Sequence, residues 1–212
     1  PIGYGAAGEI LARMTGRERP ADLKDWAGGL KADYRLDGGP DLRVRLLVKQ
    51  DRRITRSANV IATLAGRGGD ASRKVVIGCH HDAWNNGAAD PTCGTITMLE
   101  SARAFATLAR RGERPDRTLV FAAWGAEEMG LIGSSEYVEK HRADLVASGV
   151  AYLNLDMASM GPNFGAAASP ELKDVIADVA RVVPQARDHA RSVFDAWTAG
   201  KKPGEPPAPQ PA

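Results

Sequence analysis

The sequence lacks most of the features that mark specialised classes of protein. Its 212 residues include two cysteines, Cys79 and Cys93, too few for a disulfide framework or a CxxC zinc site. Lysine and arginine (28) nearly balance aspartate and glutamate (26), so nothing indicates nucleic acid or an anionic membrane as the main partner. No apolar run approaches the roughly 20 residues of a membrane-spanning helix. What remains, with 43% hydrophobic and 25% charged residues, is typical of a globular domain.

The two ends of the chain give little information about targeting. The sequence opens at Pro1 without an initiator methionine, and we expect it to be an internal segment of a longer protein. The lack of a signal peptide would then say nothing about compartment. Residues 200–212 are rich in proline and cannot form a core, which predicts an extended, flexible tail. Cys79 is typical of a small core residue, whereas Cys93 could bind a metal, and a Cys79–Cys93 disulfide stays open.

Hydrophobic periodicity predicts an α/β fold. Apolar residues at helical spacing predict helices over residues 4–14, 95–112, 131–146, 170–183 and 188–198, and apolar or alternating runs predict strands over residues 42–48, 59–64, 75–79, 118–123 and 150–155. The first two strands are expected to pair with each other in antiparallel fashion. The last three are linked through helices, which predicts that they are parallel.

Acidic residues and one histidine stand where three predicted strands end. His80 and Asp82 follow one strand, Glu127 and Glu128 follow the next, and Asp156 follows the last. Parallel strands of an open α/β sheet end on one edge, where ligands bind. Carboxylates gathered there would repel one another unless cations neutralise them. One histidine with several carboxylates is a donor set that suits Zn²⁺.

The spacing of these residues suggests different roles for them. Side chains alternate along a strand, so Asp82 would lie on the same side as His80, where an acid can orient a metal-binding imidazole. Asp90, in the following loop, could bridge two metal ions. Of the adjacent Glu127 and Glu128, one could bind metal while the other takes a proton from water. The alternative is that this pair simply begins a helix, where acids favour the positive end of the dipole.

Three segments together resemble the M28 metallopeptidases, in the branch of glutamate carboxypeptidase II and the transferrin receptor. They are Gly78–Trp84 with Asp90-Pro91, Phe121–Ser134 and Gly149–Asp156. Residues 1–4, 59–61 and 192–197 also resemble that branch. The resemblance implies a three-layer αβα sandwich with a mixed, mostly parallel sheet, incomplete at both ends. It makes residues 1–199 a partial peptidase domain, followed by the tail 200–212.

The resemblance also implies a ligand set for two zinc ions. His80, Asp90 and Asp156 would hold one zinc, and Asp90 would bridge to a second zinc bound by Glu128. The family completes the second site with a histidine from a later strand. His141 and His189 are the remaining candidates here, but they lie in predicted helices and match no family position, so the second site is expected to be incomplete.

Roles for the remaining site residues follow from the same resemblance. Glu127 would be the general base and Asp82 the partner that orients His80, with a cis peptide bond at Asp90-Pro91. Some members hold a structural calcium through acids that match Glu136 and Glu139, three residues apart on one helix face. An ordinary solvated acidic face is the alternative for that pair.

As a whole, the resemblance implies a co-catalytic dizinc exopeptidase that hydrolyses peptide bonds with a hydroxide held between the metals. A glutamate-carboxypeptidase-like specificity is expected, with an aminopeptidase as the runner-up and a non-catalytic, transferrin-receptor-like protein as the second class. A nucleotide-binding domain lacks support, because no glycine-rich phosphate loop follows any strand. The segment alone is expected to be inactive. In the complete protein we expect peptide substrates, no nucleic acid, a homodimer and an extracytoplasmic location, whether secreted, periplasmic or membrane-anchored.

Overall fold

The computed structural model describes residues 2–158, 161 and 163–199. The proline-rich segment 200–212, predicted to be a tail, lies outside the described residues. The chain divides into two compact units, Pro1–Ile54 and Thr55–Ala212.

The first unit has little regular structure. It begins with helix α1 (Tyr4–Ala12) and includes a short 3-10 helix (Lys24–Trp26). Arg17 Nε donates to Asp37 Oδ2 at 2.7 Å, which links the segment after α1 to a segment 20 residues further along the same unit. The predicted helix over residues 4–14 is confirmed, although it ends at Ala12.

The second unit is built on a four-stranded mixed sheet. Its strands are β1 (Val60–Leu64), β2 (Lys74–His80), β3 (Thr118–Trp124) and β4 (Gly149–Asn154), in the spatial order β1-β3-β2-β4. β3 and β4 both run parallel to β2, and β1 runs antiparallel to β3. The prediction of three parallel strands is therefore confirmed, and their carboxyl ends meet at one edge of the sheet.

Helices cover both faces of this sheet. Helix α2 (Thr92–Arg110) packs through Met98 on the face that carries Ile77 and Phe121, while helices α3 (Ile132–Lys140) and α4 (Arg142–Ser148) follow β3. The opposite face carries Val76, Val120, Ala122 and Trp124, against which Tyr137 and Leu145 from α3 and α4 pack. Burial of each such large apolar side chain contributes roughly 1.5–3 kcal/mol. The predicted three-layer αβα arrangement is confirmed.

Three predicted elements are wrong in part or in whole. Residues 42–48 form no strand, because within the described residues they have no neighbouring strand to pair with, and Leu46 is 81% exposed. β1 therefore pairs with β3 instead. Alternating apolar and basic residues are not enough to make a strand, which needs a partner for its backbone groups.

The predicted helix over residues 131–146 is two helices. His141 has φ −107° and ψ 15°, so it ends α3 and precedes α4. After β4, the second unit continues with a short 3-10 helix (Pro170–Leu172) and helix α5 (Lys173–Val182). A two-stranded sheet follows, made of β5 (Pro184–Gln185) and β6 (Asp188–Ser192), and then helix α6 (Val193–Thr198).

The predicted helix over residues 188–198 begins too early. Residues 188–192 form β6, and α6 starts after Ser192 through a capping box in which Ser192 and Asp195 exchange hydrogen bonds. A serine followed three residues later by an acid is a known helix-start signal, and it marks this boundary in the sequence. His189 consequently lies in a strand rather than in a helix.

Within the part of the chain that the structure describes, no helix is both long and apolar enough to cross a membrane.

Candidate metal centre

A histidine and two carboxylates come together at the carboxyl edge of the sheet. His80 ends β2, Asp156 follows β4, and Asp90 lies in the loop before α2. His80 Nε2 lies 2.9 Å from Asp90 Oδ1 and 3.1 Å from Asp156 Oδ1. Among the described residues, this is the one group of three or more His, Cys, Asp or Glu side chains whose candidate ligand atoms lie within 4.8 Å of one another. The structure thus assembles the predicted ligand set of the first zinc.

The hydrogen bonding of His80 determines what can occupy the space between these atoms. His80 Nδ1 lies 2.9 Å from the backbone carbonyl oxygen of Asp82, which can only accept a hydrogen bond, so Nδ1 carries the proton. In the neutral ring Nε2 then presents a lone pair toward two carboxylate oxygens. Three acceptors facing one another repel unless a cation lies between them.

Two further observations support a metal ion as that cation. Asp90 Oδ1 is buried and has no hydrogen-bond partner among the described residues, which is costly for a carboxylate oxygen unless it binds a cation. The imidazole is buried with its side chain 2% exposed, whereas those of Asp90 and Asp156 are 46% and 36% exposed, so the centre opens to solvent on its carboxylate side. A neutral imidazole with two carboxylates is a three-ligand set that Zn²⁺ accepts in sites that keep one position open.

Without a metal ion, a proton would take this place. Burial acts to lower the pKa of His80, but the charges of Asp156 and Glu127 and the hydrogen bonds of the ring outweigh it, so that the pKa of His80 is raised. The same arrangement that favours a proton on Nε2 favours a metal cation there, and the two compete.

Glu127 lies beside this group, on the turn that follows β3. Its Oε2 is 3.7 Å from His80 Nε2, and the side chain is 27% exposed. Burial raises the pKa of Glu127, as do the charges of Asp156, Glu128 and Asp82, whereas His80 acts to lower it. A carboxyl group with a raised pKa, facing a metal centre, is suited to accept and release a proton.

Asp82 lies beside His80 and also contacts the turn that carries Glu127. Its carboxylate accepts hydrogen bonds from the backbone N–H groups of Glu127 (2.9 Å) and Glu128 (3.2 Å), while its Oδ1 is 3.6 Å from His80 Nδ1. Burial acts to raise the pKa of Asp82, but these two hydrogen bonds prevail and the pKa is lowered. Asp82 therefore contacts His80 through its backbone carbonyl and, more distantly, through its carboxylate, and the same carboxylate holds the turn that carries Glu127.

Sequence reasoning missed the residue that holds the far side of this turn. Asn59 accepts from the backbone N–H of Gly125 (3.0 Å) and donates to the carbonyl of Gly133 (2.7 Å), closing the loop that carries both glutamates. Ala126 within the loop has φ 54°, a left-handed conformation that is uncommon for a residue with a Cβ. An asparagine just before a strand carries no signal of such a contact, because its partners lie 66 and 74 residues away.

The other predicted site residues lie outside the three-ligand group. Glu128 is half-buried on the turn after β3, and Glu136 and Glu139 are exposed on α3. The ring of His141 packs on Tyr137 with centroids 4.5 Å apart. The Asp90–Pro91 bond is cis, as predicted. Cys79 and Cys93 are both free, and the Cys93 thiol donates to the carbonyl of Ala89.

A cavity of about 380 Å³ reaches the metal centre from the side of α3 and α4. His80, Glu127 and Asp156 form its polar end, while Trp124, Tyr137 and Tyr152 are among the residues that line the remainder. Trp124 Nε1 donates to Tyr152 Oη at 3.0 Å, which satisfies the indole in this apolar setting.

Comparisons with known proteins show which family the chain belongs to. Residues 59–201 match the model of peptidase family M28, and the chain belongs to that family. The chain is 37% identical over 183 residues to the probable glutamate carboxypeptidase AMP1 of Arabidopsis thaliana, covering 86% of this chain and 26% of that protein. It is 33% identical over 207 residues to the aminopeptidase NAALADL1 of Mus musculus, covering 93% of this chain and 27% of that protein.

Among solved structures, BSAP, a zinc aminopeptidase from Bacillus subtilis, matches with a TM-score of 0.42 and 33% identity, covering 47% of this chain and 24% of that one. The chain thus spans about a quarter of the length of the curated relatives named above, at 26% and 27%.

Proposed function

We propose that this chain carries the metal-binding core of a zinc exopeptidase, in which His80, Asp90 and Asp156 hold one zinc. The observation that carries the proposal is the convergence of His80 Nε2 with two carboxylate oxygens at 2.9 and 3.1 Å, while Nδ1 is engaged by the Asp82 carbonyl. Membership of peptidase family M28 supplies the reaction class, hydrolysis of a peptide bond.

Each residue of the centre has a part in that reaction. When bound, zinc supplies positive charge that polarises a peptide carbonyl and makes water more acidic. Glu127 accepts the proton that the attacking water loses and delivers it to the leaving nitrogen. A C–O bond forms at the carbonyl carbon as the C–N bond breaks, which yields a carboxylic acid and an amine. The carboxylate of Asp82 holds Glu127 in position by accepting a hydrogen bond from the backbone N–H of Glu127. The backbone carbonyl of Asp82 orients the ring of His80.

The proposal extends to a second zinc shared through Asp90 and bound by Glu128. Glu128 lies next to Glu127 on the same turn, and its backbone N–H is held by Asp82 at 3.2 Å. Two protein ligands fall short of the three usual in catalytic zinc sites. The described part of the chain brings neither His141 nor His189 into the metal group, so the missing ligand is assigned to another part of the complete protein.

Glu127→Gln and Glu128→Gln in the complete protein form the matched test. Glutamine keeps the size of the side chain, but it neither accepts the proton nor binds zinc as a carboxylate does. We expect Glu127→Gln to abolish turnover with zinc content unchanged, and Glu128→Gln to lower zinc content. Metal analysis beside a peptidase assay decides this. Loss of zinc from Glu127→Gln alone would exchange the two roles, and full activity in Glu127→Gln would overturn the proposal.

The end of the peptide that is attacked needs a separate comparison. We propose a carboxypeptidase, with an aminopeptidase as the alternative, because relatives of both names match the chain. Peptides with an acetylated amino end test the first, and peptides with an amidated carboxyl end test the second. A non-catalytic, transferrin-receptor-like role is less favoured, since His80, Asp90, Glu127, Glu128 and Asp156 are all present. No cleavage of either peptide by the zinc-loaded protein would favour that role.

A further inference from the structure

We propose that Gly94 and Thr95, in the first turn of helix α2, are positioning residues that set the separation of the three metal ligands. The inference rests on the proposed zinc site and adds residues that are not themselves ligands. Asp90, His80 and Asp156 come from a loop and from two different strand ends, so something must hold these three segments at the right distance. The first turn of α2 contacts all three.

Thr95 links the helix to the segment that carries His80. Its hydroxyl donates to the backbone carbonyl of His80 at 2.6 Å and lies 3.4 Å from the Cys79 thiol. The carbonyl of His80 lies where β2 ends and its ladder with β4 has already stopped at Gly78. The Thr95 hydroxyl therefore holds the backbone carbonyl of His80 in place, beyond the point where the pairing of β2 with β4 has ended.

Gly94 links the helix to the segment that carries Asp156. A Cβ atom at position 94 would lie 1.4 Å from the carbonyl oxygen of Leu155 and 1.6 Å from that of Asp156. Both are backbone atoms, so neither can move aside without moving the ligand residue itself. Glycine is thus required here for the close approach of α2 to the end of β4, and this approach determines how far Asp156 lies from His80.

The third ligand is joined to the same turn through the chain. Asp90 precedes Pro91, whose carbonyl accepts from the backbone N–H of Thr95 at 3.0 Å. The backbone N–H of Thr92 donates to the carbonyl of Gly87 at 2.9 Å and closes the loop that carries Asp90. One turn of helix therefore contacts each ligand segment through a separate bond or packing contact. Helix α2 is anchored in the core by Met98, which is 3% exposed.

Thr95→Val and Thr95→Ser in the complete protein test the hydroxyl. Valine keeps the shape but cannot donate to the His80 carbonyl, whereas serine can. Changes to groups that orient metal ligands typically cost about 10–100-fold in metal affinity. We expect a loss of that size for Thr95→Val and recovery with Thr95→Ser, measured by zinc competition against a chromophoric chelator. The absorption bands of the Co²⁺-substituted protein should shift in Thr95→Val and return in Thr95→Ser.

Thr107→Val is the matched control on the same helix. The Thr107 hydroxyl donates to the carbonyl of Arg103 within the exposed part of α2, far along the chain from the ligands. It should leave zinc affinity and the Co²⁺ spectrum unchanged. Zinc affinity and spectrum equal to wild type in Thr95→Val, or an equal loss in Thr107→Val, would overturn the inference.

Gly94→Ala is compared with Gly66→Ala, where an added Cβ would lie 2.4 Å from the carbonyl oxygen of Asp116. Both changes create a backbone clash, but only Gly94 lies against a ligand residue. We expect both to lower thermal stability and only Gly94→Ala to weaken zinc binding. Equal zinc affinity in the two folded variants would refute the role of Gly94; if Gly94→Ala fails to fold, the Thr95 series decides.

His80→Ala separates this inference from the proposed function. If His80→Ala and Thr95→Val both bind zinc like wild type, the proposed metal site itself is wrong. If His80→Ala loses zinc and Thr95→Val does not, the metal site stands and the positioning role of the helix turn fails.

Discussion

The carboxylate of Asp82 accepts a hydrogen bond from the backbone N–H of Glu127 at 2.9 Å, across 45 residues of sequence. Its other oxygen accepts from Glu128 at 3.2 Å. The loop that follows β2 thereby sets the position of the turn that follows β3. Because the backbone carbonyl of the same residue accepts from His80, Asp82 couples the proposed metal ligand to the proposed general base.

Asp82→Asn should weaken the centre through both of these neighbours without removing a ligand. The amide of asparagine offers one oxygen to two N–H groups, so one of them loses its acceptor. We expect activity to fall about 10–100-fold, as for other groups that orient metal ligands. Zinc affinity, measured by chelator competition, should fall less than in His80→Ala. A loss of zinc as complete as that of His80→Ala would mean that Asp82 is itself a ligand.

The ion pair between Lys74 and Asp144 predicts a defined pH dependence of stability. Lys74 Nζ donates to Asp144 Oδ1 at 2.7 Å, from the start of β2 to α4. That hydrogen bond lowers the pKa of Asp144 below its ordinary value of about 3.9. The pair therefore stabilises the fold fully above that ordinary value, and its contribution is lost as the pH falls through the lower, folded-state pKa.

Asp144→Asn should accordingly lower the urea midpoint modestly at neutral pH, and the difference from wild type should shrink as the medium becomes more acidic than pH 4. The pair is partly exposed, so salt should reduce the effect. Lys74→Met is the control background, in which Asp144→Asn should no longer show this pH dependence. A difference that grows toward acid pH would contradict the assignment.

The hypothesis of a calcium ion at Glu136 and Glu139 makes a further prediction. Both side chains are exposed on α3, where they could bind a cation with ligands from elsewhere in the complete protein. We expect millimolar calcium to raise the melting temperature of the complete protein, and the Glu136→Gln, Glu139→Gln double variant to lose that response. Equal responses of the two proteins would leave these glutamates as an ordinary solvated face.

The isolated 212-residue chain should bind one zinc tightly and show no peptidase activity. His80, Asp90 and Asp156 form a three-ligand set, whereas Asp90 and Glu128 give a second ion only two ligands. Calorimetric zinc titration of this chain and of its His80→Ala variant measures the stoichiometry, with the peptidase assay run in parallel. Two tight sites with turnover would show that the chain already contains the missing ligand.

Local patterns in the sequence predicted most of the helices and strands and marked the candidate site residues. Apolar runs predicted β2 and β3, because a buried strand carries apolar side chains on both faces, and they also predicted β4, most of whose residues are exposed. The acids beyond the ends of these strands marked the edge where ligands bind. The capping signal at Ser192 was also present in the sequence, although helical spacing alone led to a start that was too early. The alternating pattern at residues 42–48 predicted a strand that does not form, because a strand exists only where a neighbouring strand pairs with it.

Only the tertiary structure decided which groups touch. The contacts of Asp82 with Glu127, of Asn59 with the loop around Glu127, and of Gly94 with the Asp156 backbone join segments 45 or more residues apart. No local propensity encodes such contacts, because they arise when helix α2 and the strands pack around a common core. The sequence by itself determined which residues can bind a metal ion. Packing decided that candidate ligand atoms of His80, Asp90 and Asp156 lie within 4.8 Å of one another, and which backbone groups hold these residues there.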